Sequence, residues 1–190
     1  MLVSIGPILG QNASASLYSR VRQAVKQSLW ISVVYVCVVW LLFDVFWQPV
    51  ATLFSAEALA AELIQFYAQY MVSGFIFVGM LIIAVAGFNN LHMPNTATLF
   101  NLARIFLGVV PAVYLLGGEF GAKGILASET VAVVVWGSAA YALFWSRLNK
   151  VAYRARLILE NEAVVDNPSE LEFSSGVSQL GAAISRQSER

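Results

Sequence analysis

Few side chains in this sequence are equipped for chemistry, and their placement decides what kind. Two amides stand side by side at Gln11 and Asn12, while Asp44, Arg104 and Glu129 interrupt otherwise apolar runs. An amide pair at the mouth of an apolar segment either faces a cavity and hydrogen-bonds a solute or a coupling ion, or ties two helices together. An ionisable group inside an apolar run is costly and by default a functional candidate. Asp44 falls about a turn before Trp47 and Pro49, which suits a solvated or capping carboxylate at a membrane interface. Glu129 stands between Ser128 and Thr130, so three neighbouring side chains can share a proton or a cation. As an acid in the first turns of a helix it is also favoured by the helix dipole. Arg104 either snorkels to headgroups from one or two turns inside its run or pairs with an acid outside this sequence.

Other chemistries lack their residues. Cys37 is the one cysteine and sits in the apolar run Val33–Val39, a packing position; it cannot form an internal disulfide, nor a zinc site with the lone His92. No nucleophile–base pair, metal cluster or phosphate-binding loop is present, so an enzyme is not expected and no cofactor is implied. The 11 basic and 11 acidic side chains cancel, which gives a nucleic-acid partner no electrostatic support. Charged residues make up 12% of the chain, about half the usual globular share, and mean hydropathy is +0.73. The class is an all-α integral membrane protein, with the lipid bilayer as its first partner.

Four apolar runs are long enough to cross a membrane: 30–47, 66–88, 99–116 and 125–145. Trp30 and Trp47 bracket the first, which Pro49 should end, and Tyr67 and Tyr70 anchor the start of the second. Residues 53–59 read as a short surface helix with a Ser55 cap. Asn89–Asn95 reads as a loop, with His92 exposed in it, and Gly117–Gly124 as a glycine-rich connection. Gly6 and Gly10 make a small-xxx-small step across Pro7, and Gly74 and Gly79 dot the second run; all four are candidate helix-packing positions. Only about ten residues precede Gln11, half of what a span needs, and no basic region or cleavage signature marks a signal peptide. The sequence thus predicts a truncated first helix with part of it missing upstream.

Basic residues orient the spans. Arg20, Arg22, Lys26, Arg104, Arg147, Lys150, Arg154 and Arg156 fall on one side against Lys123 on the other, which predicts a cytoplasmic C-terminus in the plasma (inner) membrane. Residues 151–190 form a tail. In it, 151–163 alternates apolar and charged residues as a surface-lying helix would, and 167–190 has the composition of a disordered segment.

These residues resemble a known family. Gly6-Pro7, Gly10-Gln11-Asn12 and Ala15, followed by Arg20-Val21 and Ala24, resemble the eighth helix and following loop of multidrug and toxic compound extrusion (MATE) transporters. Gln48-Pro49-Val50 with Leu53-Phe54 is similar to that family's ninth-to-tenth connection. Phe88-Asn89, Pro94, Asn101, Arg104, Pro111 and the Gly121/Gly124 turn resemble its tenth-to-eleventh loop and eleventh helix. The likeness covers residues 1 to about 151. It implies twelve helices in two lobes around a central cavity, of which residues 1–150 would be part of the C-terminal lobe, without the N-terminal lobe. The implied function is cation-coupled (proton or sodium) multidrug or xenobiotic antiport of small amphiphilic or cationic drugs by the intact protein. Family coupling sites use acids in the first, seventh or tenth helix, yet the tenth-like run 66–88 has no charge, and Ser14 replaces a usual glycine. The alternative reading is a small membrane protein that homo- or hetero-oligomerises through its glycine-rich faces.

Overall fold

A computed structural model describes residues 5–53 and 57–166, with side chains to 161. Among the described residues every element is helical. Helix α1 is Ile5–Ser14, α2 Tyr18–Leu53, α3 Ala58–Phe66, α4 Phe75–Asn90, α5 Pro94–Ala103 and α6 Val110–Asp166. A π-helical segment, Tyr67–Met71, and a single 3-10 turn, Val72–Gly74, join α3 to α4. A second π-helical segment, Arg104–Val109, joins α5 to α6.

Three continuous stretches are long and apolar enough to cross a membrane: Tyr18–Leu53, Ala58–Asn90 and Pro94–Asn161. The third has 68 residues, which as one rod would run to ~100 Å, about three hydrocarbon cores. It does not run straight. Gly121 has φ 59 and ψ −135, a conformation essentially reserved for glycine, and the chain doubles back there. Beyond the turn, Gly124 lies against Leu116, and Trp136 and Ala132 pack on Gly108, so 94–120 and 122–148 form an antiparallel hairpin. The expected four spans are therefore present, preceded by the ten-residue α1.

Boundaries differ from expectation in four places. Pro49 does not end α2, which continues to Leu53; one lost N–H is tolerable near a helix end, where Thr52 Oγ1 donates to the Pro49 carbonyl at 2.9 Å. The short helix expected over 53–59 begins at Ala58, Glu57 standing before it as an extended residue, and runs on into the second span; Ser55 lies outside the described residues. The Asn89–Asn95 loop shrinks to 91–93, because α4 includes both asparagines and Pro94 starts α5, where its missing N–H costs nothing. His92 is exposed in that turn with φ 57. Within Gly117–Gly124 only Gly121 leaves helical geometry.

The first unit, Met1–Leu148, has its core at the end where α1, the end of α4 and the start of α5 meet. Phe88 stacks on Phe100 at 5.9 Å and meets Phe144 edge-on at 5.8 Å, while Trp136 meets Phe100 edge-on at 6.2 Å. Gly87 leaves the room that the Phe144 ring fills. Lys26 lies 5.7 Å from the Trp145 ring at this end. At the other end Lys123 pairs with Glu62 and lies 5.8 Å from the Phe66 ring. The second unit, Asn149–Arg190, is helical to Asp166, with Tyr153, Leu157, Ile158 and Leu159 exposed. Residues 167–190, expected to be disordered, lie outside the described residues.

Candidate functional site

The polar side chains that converge do so on one cavity of about 480 Å³, at the junction of the second span with the hairpin. Tyr67, Met71 and Gly74 form one wall, continued by Phe75, Val78 and Leu81 of α4. Asn101 and Arg104 form the second, and Leu126, Glu129, Thr130 and Val133 the third. Both π-helical segments border it: Tyr67 and Met71 belong to one, and Arg104 opens the other. A π-segment widens the helix by one residue per turn and presents side chains out of α register, which is why such segments recur at functional sites. Trp40 fixes the first of them by donating its indole N–H to the Gln69 carbonyl at 2.9 Å.

Inside the cavity Arg104 Nη1 donates to Glu129 Oε1 in a salt bridge. Both charges lie within spans, where pairing offsets the cost of removing them from water. The two are not equally deep: the Arg104 side chain is 22% exposed and that of Glu129 56%. Arg104 Nε is buried and, among the described residues, has no hydrogen-bond partner. Beside the pair, Thr130 Oγ1 donates to Met71 Sδ at 3.2 Å, and the Thr130 methyl fills the space left by Gly74. Buried Ser128 is spent locally, donating to the Gly124 carbonyl at 2.7 Å, so the three side chains at 128–130 do not form one site.

The remaining candidates lie elsewhere. Gln11 is exposed, and Asn12 donates to its own helix at the Ile8 carbonyl, 2.8 Å; neither lines the cavity. Gly10 approaches Asn90 closely, whereas Gly6 has nothing within 4 Å of where a Cβ would stand. Gly79 receives the Ser32 side chain of α2. Asp44 is exposed on α2. Arg104 has a partner, Glu129, that neither sequence alternative gave it. A signal for that pairing was available: opposite charges in two successive apolar spans, joined by a short turn, face each other at low cost only as a pair. Tyr67 was read as an interface anchor, and nothing in the sequence marks the π-segments that bring it to the cavity.

The described residues thus form an all-α bundle of up-and-down spans with a paired charge beside a half-open cavity. The fold is that of part of a MATE transporter. Crystal structures of the Vibrio cholerae MATE transporter VcmN match it: a point-mutant form with a TM-score of 0.73 and 20% identity over 80% of this chain, and the bent form with 0.70 and 21% over 83%. A protein of Shewanella oneidensis named as an FAD transporter is 29% identical over 140 residues, 74% of this chain. No protein-family model matches. The chain spans about a third of these proteins, 31% of the Shewanella protein and 35% of each VcmN chain. The resemblance to MATE transporters seen in the sequence is thereby borne out, as are the all-α class and membrane location.

Proposed function

We propose that residues 1–150 are part of the C-terminal lobe of a cation-coupled antiporter for amphiphilic or cationic xenobiotics, and that 151–190 are its cytoplasmic tail. The observation that carries this reading is the Arg104–Glu129 pair beside a cavity of drug-accommodating size in a MATE-type bundle. The lobe would supply one wall of a larger central site and rock against an N-terminal lobe. Proton or sodium would act on acids outside this chain or on Glu129. By orientation of its basic residues the C-terminus is cytoplasmic in the plasma membrane.

The test is expression in a host stripped of its own MATE pumps. The chain alone should give no drug resistance; resistance from it would overturn the partial-lobe reading. Joined behind the first two-thirds of a MATE transporter, it should restore efflux of ethidium that collapses when the ion gradient is removed. The Shewanella relative favours a second substrate, a flavin dinucleotide, and FAD appearing in the medium of the same cells would select it. The oligomerisation alternative has less support, because Gly10, Gly74, Gly79 and Gly87 are already occupied by contacts within the chain.

A further inference from the structure

We propose that the outer face of α2 holds one anionic phospholipid, with its phosphate at Arg22 and Lys26 and an acyl chain along Trp30, Val34 and Val38. These five residues recur at every fourth position, so they form one continuous ridge on the helix. From the α1–α2 turn inward the ridge runs cation, cation, indole, valine, valine, which is the order of polarity in a phospholipid from phosphate to hydrocarbon. Trp30, Val34 and Val38 are uncovered by the bundle, and within a span that exposure is to lipid chains. With Ile31 and Tyr35 they line a shallow groove of about 460 Å³. Trp30 opens the apolar run, so Lys26, one turn before it, stands at headgroup depth. The Lys26 ammonium lies 5.7 Å from the centre of the Trp145 ring, which stacks on Tyr141 at 6.3 Å. An ammonium resting on an aromatic face keeps donors for a phosphate oxygen. Arg22 is half-buried with its Nε enclosed, which sets the side chain against the bundle; the end of the guanidinium, not that nitrogen, meets the phosphate. Charge selects the anionic headgroup over a zwitterionic one. Neither Arg22 nor Lys26 has a carboxylate partner among the described residues. No Asp or Glu occurs in residues 1–43 or 130–148, so the chain on either side of Lys26 and of Trp145 offers none to the ammonium of a choline or ethanolamine headgroup.

Native mass spectrometry of the full chain in neutral detergent, titrated with phosphatidylglycerol and phosphatidylcholine of the same acyl chains, tests this. Phosphatidylglycerol should add its first molecule roughly 5-fold or more tightly than phosphatidylcholine. Lys26→Gln and Arg22→Gln should each weaken that first adduct roughly 5-fold, the worth of one basic residue at an anionic headgroup. Arg20→Gln is the matched control. It removes the same charge from the same helix, about 200° round from Arg22, and should leave the affinity within about two-fold. Equal affinity for the two lipids, or Arg20→Gln weakening the adduct as much as Lys26→Gln, would overturn the site and leave only a general basic surface. If Arg22→Gln loses its helical circular dichroism, exposed Lys26 decides alone. Glycerol 3-phosphate has the phosphate without the chains and should not displace the lipid; displacement by it would show a soluble-phosphate site and refute the lipid assignment. Binding is read without any flux, so the result stands apart from what the cavity carries.

Discussion

At the scale of single residues, the contrast between glycines is informative. A Cβ at Gly137 would stand 2.5 Å from the Phe77 carbonyl oxygen, a backbone atom with no rotamer to yield, whereas Gly6 and Gly118 face open space. Gly137→Ala should therefore destabilise the chain by roughly 1–3 kcal/mol through overpacking, while Gly6→Ala stays near neutral. Thermal unfolding in detergent, followed by circular dichroism, checks both. The Arg104–Glu129 pair belongs to the same scale. Removing either charge should cost roughly 0.6–2 kcal/mol, the range of interhelical polar contacts in membranes. Replacing both with leucine should cost less than the sum of the single changes, and a double-mutant cycle that proves additive would show the two side chains to be uncoupled. Sequence singled out both charges correctly as costly, but treated each by itself. The pairing required knowing that the intervening turn brings their helices face to face.

At the scale of elements, what the sequence made legible was the apolar content of each span, and what it did not was where each helix stops. Pro49 and the Gly117–Gly124 stretch look like terminators by soluble-protein rules. In a membrane a helix is the cheapest way to satisfy the backbone, so it persists through weak breakers unless geometry compels a turn. The π-segments escaped for a related reason: their side chains are ordinary, and only neighbours stabilise the wider winding. Trp40 is such a neighbour. Trp40→Phe removes its bond to the Gln69 carbonyl while keeping an aromatic ring, and should cost about 1 kcal/mol. Faster amide exchange confined to 67–74 is the expected local signature; unchanged exchange there would mean that the π-segment does not depend on the indole.

For the whole molecule, the ends of the bundle carry different charges. Lys26 caps Trp145 at one end, two residues before Arg147 in the sequence, while Lys123 pairs with Glu62 at the other. Alkaline phosphatase fused after Asn161 should be inactive, and the same enzyme fused after Gly118 active, if the tail is cytoplasmic as proposed. The reverse pattern would invert the topology and leave the fold untouched. The fold class and number of spans were legible because they follow from composition and length. The cavity was not, since it is made by three segments separated along the chain.

Gly121 sets a limit on how this part of the chain tolerates change in length. With a single residue making the turn, the backbone contacts across the hairpin are counted from it, Gly117 with Ile125, then Gly108 with Ala132 and Trp136, while the long Arg104 side chain reaches back along the hairpin to Glu129. One inserted residue in either arm turns all the partners beyond it by about 100° around the helix axis. Sequences that share this hairpin should therefore diverge by replacing residues in its arms and hardly ever by gaining or losing one.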